Sequence, residues 1–181
     1  MTHFAVAAVG TDRPGIVAAV TGAFARSGCN LEDSSMTILR GQFAMMLVVD
    51  APAGVGAGEL EAALAVPAAE LDLVVTVRPA PEPVAPADQD ADAASWTVSV
   101  HGADHPGIVH GVASLLAAQA VNIVDLSTRM IGTADSPVYA MVLEVTLPPA
   151  ADPQQFGREL EAKAGELGVT CRLHPSEADI L

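Results

Sequence analysis

Positive charge is scarce in this sequence. Eight Lys and Arg stand against 22 Asp and Glu, a formal net charge of −14 at neutral pH. Such a field repels nucleic-acid phosphates and anionic membrane surfaces, so direct binding to DNA, RNA or a membrane is not expected. Cysteine is scarcer still. Cys29 and Cys171 fall at unmatched places, which supplies neither a disulfide framework nor a zinc ligand set and fits a reducing, cytoplasmic setting. Long apolar runs are missing too. Nowhere do the roughly 18 unbroken apolar residues of a membrane span occur. The opening segment has only the short run Phe4–Val9 and no basic flank before it, so a secretory signal is not expected either.

What the sequence does contain is repetition. The stretch "GTDRPGIVAAV" at residues 10–20 returns as "GADHPGIVHGV" at residues 102–112, with Gly, Asp, Pro, Gly, Ile, Val and Val in one register. Hydrophobic residues make up 51% of the 181, enough to give each of two small domains a core. Between the copies, "RPAPEPVAPADQDADAAS" at 78–95 mixes four prolines with acidic residues and has no basic residue after Arg78. It reads as an extended linker. The expected domains are residues 1–79 and 95–181, joined by a Pro-rich acidic linker over 80–94.

The same order of elements runs on both sides. Apolar runs at Phe4–Val9 and Trp96–Val100 predict strands that lead into the repeated loop. Ile16, Val17, Val20 and Phe24, and again Ile108, Val109, Val112 and Leu116, have helical spacing. Pro14 and Pro106 suit the first turn of such a helix, and Asp12 and Asp104 are placed to accept from its free amides. Gly28 offers a left-handed end, where the second copy has Ala120. Second strands follow in "CNLEDSSMTIL" and "VNIVDLSTRMI", then a turn, "RGQ" in one copy and the longer "GTADSP" in the other. Phe43, Met45, Leu47 and Val49 share one side of the third strand, as do Tyr139, Met141, Leu143 and Val145. Helices around Gly58–Glu70 and Asp152–Leu167 and strands at Leu71–Val77 and Val169–Leu173 complete the pattern. The order β-α-β-β-α-β, twice, predicts an α+β protein of two ferredoxin-like domains, each an antiparallel four-stranded sheet with helices on one face. Ala44, Met46 and Val48 make the open face apolar as well, so sheet pairing or dimerisation is expected to cover it.

A strand, then G-x-D-[RH]-P-G-I-V, a helix, and "GCNLEDS" or "VNIVDLS" resembles the ACT domain, a small ligand-sensing module, in both halves. With "PAAELDLVVTVR", the first half resembles in particular the tandem-ACT family typified by the glycine cleavage system transcriptional repressor. The resemblance implies a nonenzymatic regulatory protein without catalytic residues or a cofactor. It would bind an amino acid and control glycine or amino-acid metabolism, or transcription, through a protein partner, most simply as a dimer. The alternative is an accessory or assembly subunit whose ACT pair makes protein contacts without a ligand. The resemblance further implies two sites: Asp12, Arg13, Gly15 and Ile16 with Asn122 and Ile123, and reciprocally Asp104, His105, Gly107 and Ile108 with Asn30 and Leu31. Pairing within one chain or between chains is left open.

The residue types suit a zwitterion. First-turn amides at Gly15–Val17 or Gly107–Val109 can take a carboxylate, an Asp the ammonium, and an Asn amide can bridge to either. The same residues also start a helix well with no ligand, and the two Asn side chains can serve nearby backbone alone. His101, His105 and His110 lack metal-site spacing and have no matching set in the first copy, so no metal is expected. Cys29 has no positioned base, so no nucleophile is expected either.

Overall fold

The computed structural model describes residues 2–81, 95–133 and 136–176. It divides into two compact units, Met1–Val84 and Ala85–Leu181. From residue 82 onward, the linker expected over 80–94 lies outside the described residues.

The first unit runs β1 (Thr2–Thr11), α1 (Ile16–Arg26), β2 (Asn30–Leu39), β3 (Gln42–Ala51), α2 (Ala57–Leu71) and β4 (Leu73–Pro79). The second runs β5 (Ser95–Gly102), α3 (Ile108–Ala118), β6 (Asn122–Thr133), β7 (Ser136–Thr146), α4 (Pro153–Glu166) and β8 (Val169–Pro175). Each forms one four-stranded sheet, ordered β2-β3-β1-β4 and β6-β7-β5-β8, with every neighbouring pair antiparallel. The expected α+β architecture of two βαββαβ units is therefore the observed one. No helix among the described residues is long and apolar enough to cross a membrane.

Each core forms where two periodicities meet. Strand alternation turns Phe4, Val6 and Ala8 of β1 and Phe43, Met45, Leu47 and Val49 of β3 to one side. There they pack on Ile16, Val20 and Phe24 of α1 and Leu60 and Leu64 of α2. The second unit repeats this with Val98, Val100, Tyr139, Met141, Leu143 and Val145 beneath Ile108, Val112, Leu116, Phe156 and Leu160. Full burial of one such large side chain is worth about 1.5–3 kcal/mol, so these stripes dominate the stability of each unit.

Three local expectations are corrected. Pro14 and Pro106 lie in turns before their helices, and the N-caps are Gly15 (φ 97°) and Gly107 (φ 100°), with no side-chain cap. Asp12 and Asp104 stand three residues upstream, and the left-handed glycine turns the backbone between each carboxylate and the helix. The two helices also end alike. Gly28 (φ 71°) and Ala120 (φ 55°) both adopt the left-handed conformation, and the next amides, of Cys29 and Val121, donate to Phe24 and Leu116. Finally, matching positions are 92 residues apart before the hairpin turn (Asn30 and Asn122) and 96 after it (Phe43 and Tyr139), and the four extra residues of the second β-hairpin lengthen its ladder rather than its turn. The first hairpin closes at Leu39–Gln42, whereas the second continues past Ile131–Val138 through Gly132–Pro137 to Thr133–Ser136. Residues 134–135 of that turn lie outside the described residues.

Candidate functional site

Each repeated loop leaves the end of the first strand of its unit. The Asp12 amide donates to the Gly41 carbonyl at 2.8 Å, tying the first loop to the neighbouring hairpin turn. Ile16 and Ile108 are buried core anchors, 1% and 2% exposed as whole residues, so the exposed part of each helix start is carried by the residues that follow them. The first helical bonds run from Ala19 N–H to Gly15 O (2.9 Å) and from Gly111 N–H to Gly107 O (2.8 Å). The amides of Ile16, Val17 and Ala18, and of Ile108, Val109 and His110, thus precede the first helical donor and have no acceptor within the helix, at the positive end of the dipole. A Cβ built on Gly15 or Gly107 would meet nothing within 4 Å, so the space beside each cap glycine is open. Positive φ, not crowding, is why glycine stands there.

The flanking side chains differ between the loops. Asp12 and Arg13 are exposed and make no ion pair among the described residues. In the second loop, His105 is partly buried, with Nε2 2.6 Å from the Leu167 carbonyl and Nδ1 3.1 Å from that of Pro106. Its ring is occupied by protein backbone. Asp104 is exposed but close enough to add to the rise that burial imposes on the Tyr139 hydroxyl.

Asn30 and Asn122 are exposed, while Leu31 and Ile123 pack partly buried against their cores. A β-bulge follows in both units, between Leu31 and Asp33 and between Ile123 and Asp125. Neither unit brings its own Asn to its own loop. Thr11 pairs with Gln42 but Asn30 pairs with Asp50, eight residues or about 27 Å along β3. In the second unit Gly102 pairs with Tyr139 and Asn122 with Thr146, about 24 Å apart along β7.

The Asn30 end carries groups that sequence reasoning missed. His3 Nδ1 lies 3.0 Å from Glu32 Oε2, and Asp50, level with both His3 and Asn30, has a buried Oδ1 without a partner. These residues come from β1, the bulge of β2 and the end of β3, so no local pattern announces them. The corresponding second-unit residues are Ser95, Val124 and Thr146. Among the described residues no three His, Cys, Asp or Glu side chains converge as metal ligands. Burial raises the Cys29 thiol, with Asp50 adding, and pushes Cys171 up to about 11, so both stay protonated at neutral pH. A depression of about 340 Å³ lined by Leu64, Ala68, Leu73 and Val75 includes none of the loop residues.

The model of the ACT domain matches residues 2–78 and 97–174. The chain belongs to the ACT domain family. Its two ACT domains are similar over 169 residues to the glycine cleavage system transcriptional repressor of Escherichia coli K12, at 28% identity, covering 92% of this chain and 86% of that protein. The first 50-residue match to a UPF0237 protein of Methanopyrus kandleri is 48% identical but covers 28% of this chain, and the chain spans only 56% of that relative's length. Among solved structures, an unknown protein from Galdieria sulphuraria superimposes with TM-score 0.79 at 28% identity, over 97% of this chain and 99% of that one. A putative glycine cleavage system transcriptional repressor shares the tandem ACT fold, with TM-score 0.70 at 22% identity over 96% of each chain.

Proposed function

We propose that this tandem ACT protein is a nonenzymatic, cytoplasmic regulator that senses an amino acid and acts on a protein partner. One observation carries the reading. Both loops repeat a left-handed glycine cap, and the three amides before the first helical donor have no acceptor within the helix, with an exposed Asp nearby. Those amides suit a carboxylate and the Asp an ammonium, the two ends of an amino acid. Relatedness to a protein named as a glycine cleavage repressor supports an output on glycine or amino-acid metabolism. Because each Asn sits at the far end of its own sheet, Asn30 or Asn122 joins a site only if a second ACT domain presents it. The loops are also unequal, since Arg13 is exposed and makes no ion pair among the described residues, whereas His105 is held by two backbone carbonyls.

A thermal-shift screen of the twenty amino acids tests the proposal, because a ligand selective for the folded state raises the melting temperature. Calorimetry on Asp12→Asn, Asp104→Asn, Asn30→Ala and Asn122→Ala then maps the hit. Loss of one Asn contact is expected to weaken binding about five- to tenfold without a matching loss of stability. If no amino acid shifts the melting temperature, the sensor reading fails and an assembly role takes its place.

A further inference from the structure

The open face of the first unit's sheet centres on three cross-strand rows that span all four strands. Phe4, Val6 and Ala8 point into the core, so Ala5, Ala7 and Val9 point the other way. Read from β2 through β3 and β1 to β4, the rows are Asp33–Val48–Ala5–Arg78, Ser35–Met46–Ala7–Thr76 and Thr37–Ala44–Val9–Val74. Val9, Met46 and Val74 are 47%, 60% and 72% exposed. The matching rows of the second unit read Asp125–Glu144–Thr97–His174, Ser127–Val142–Ser99–Arg172 and Arg129–Ala140–His101–Thr170. Those are mostly hydroxyls, rings and charges that water satisfies. Only the first face is an apolar strip with a polar border, the pattern of a surface that meets a partner.

We infer that this face joins two copies of the chain, first unit on first unit, about a two-fold axis that runs along the strands between β3 and β1. The inference is independent of whether an amino acid binds. That axis sets β3 over the partner's β1 and β2 over the partner's β4, as in aligned sheet packing. Every central contact then pairs a large side chain with a small one: Val48 with the partner's Ala5, Met46 with the partner's Ala7, Val9 with the partner's Ala44. At the border, Asp33 meets the partner's Arg78, Ser35 the partner's Thr76 and Thr37 the partner's Val74. Each contact occurs twice. Within one copy Asp33 and Arg78 stand on opposite edges of the sheet, about 14 Å apart, and neither makes an ion pair among the described residues. An axis across the strands fits worse, since it stacks Met46 on the partner's Met46 and sets Arg78 over the partner's Val74. With the flanking rows His3–Asp50–Asn30 and Thr11–Gln42–Leu39 included, five alternate residues across the sheet cover about 500 Å² per copy, or about 1,000 Å² for the pair, which reaches the size of a specific interface.

Sedimentation of the full chain tests this. The unmodified protein is expected to be a dimer. Met46→Glu, Asp33→Arg and Arg78→Asp should each raise its dissociation constant about tenfold or more, through a buried charge or a like-charge pair. Since all three side chains point away from their own core, melting temperatures of the dissociated variants should agree with one another. The decisive step mixes Asp33→Arg chains with Arg78→Asp chains. Every mixed pair regains both ion pairs, so tight association should return. A chain that is monomeric throughout overturns the inference, even if Met46→Glu lowers its melting temperature, which would mean that the chain covers the face itself. A dimer indifferent to the three changes, or single variants that fail to complement, overturns it equally.

Discussion

His105 places Nε2 2.6 Å from the carbonyl oxygen of Leu167, 62 residues further along the chain, while Nδ1 faces the Pro106 carbonyl. A ring between two acceptors is best satisfied as imidazolium, which donates from both nitrogens. The Pro106 and Leu167 carbonyls accordingly raise His105 above the ordinary histidine value, against a small opposing effect of burial and with help from Asp104. A folded-state value above the unfolded one gives stability that is complete below about pH 6.5 and is lost as pH rises through the folded value. Melting temperature is therefore expected to fall as pH rises above about 6.5, and His105→Gln should flatten that part of the profile. Parallel profiles for the two proteins would show that the ring contributes nothing.

Gly10 and Gly102 close the first strand of each unit beside the start of the last strand. A Cβ on Gly10 would meet the Asp72 carbonyl oxygen and Leu73 Cδ2, each at 2.7 Å, and one on Gly102 would meet Val169 Cγ1 at 2.8 Å. Alanine at either place is expected to cost about 1–3 kcal/mol by overpacking. Gly10→Ala should be the worse of the two, because a backbone carbonyl cannot rotate aside as a side chain can. Denaturant unfolding of both variants checks the order.

Ala120 holds a left-handed conformation (φ 55°) that glycine adopts without strain. Ala120→Gly should raise stability by up to about 1 kcal/mol, and Gly28→Ala should lower it by a similar amount. A Cβ at Gly28 would lie in ordinary contact, 3.8 Å from Pro52 Cγ, so the loss there would be conformational rather than steric. Equal melting temperatures for the Ala120→Gly and unmodified proteins would contradict this.

The purified chain should not retard DNA at moderate salt, given its net charge of −14. Any effect on transcription would then need the partner protein in the same assay. Tight, salt-sensitive binding by the chain alone would contradict a partner-mediated output.

Local patterns in the sequence suffice for the order of elements and the identity of the cores. A period of 3.6 in Ile16, Val20 and Phe24 and a period of 2 in Phe43, Met45, Leu47 and Val49 each state which side faces inward, and the repeat states it twice. The loop motif is equally local, so its position was readable from Asp12 to Ile16 and from Asp104 to Ile108. Which residues those loops meet is another matter. Asn30 stands about 27 Å along β3 from its own loop because of the strand register, and His105 finds Leu167 because α4 ends beside it. The cluster of His3, Glu32 and Asp50 likewise exists only once three strands are side by side. Gly15 as the cap in place of Asp12, and Ala120 left-handed where glycine was the natural choice, depend on where the packed helix enters and leaves its sheet. Periodicity along a chain encodes direction, in or out. Distance and partnership between residues far apart in sequence arise from register and packing, which only the folded sheet supplies.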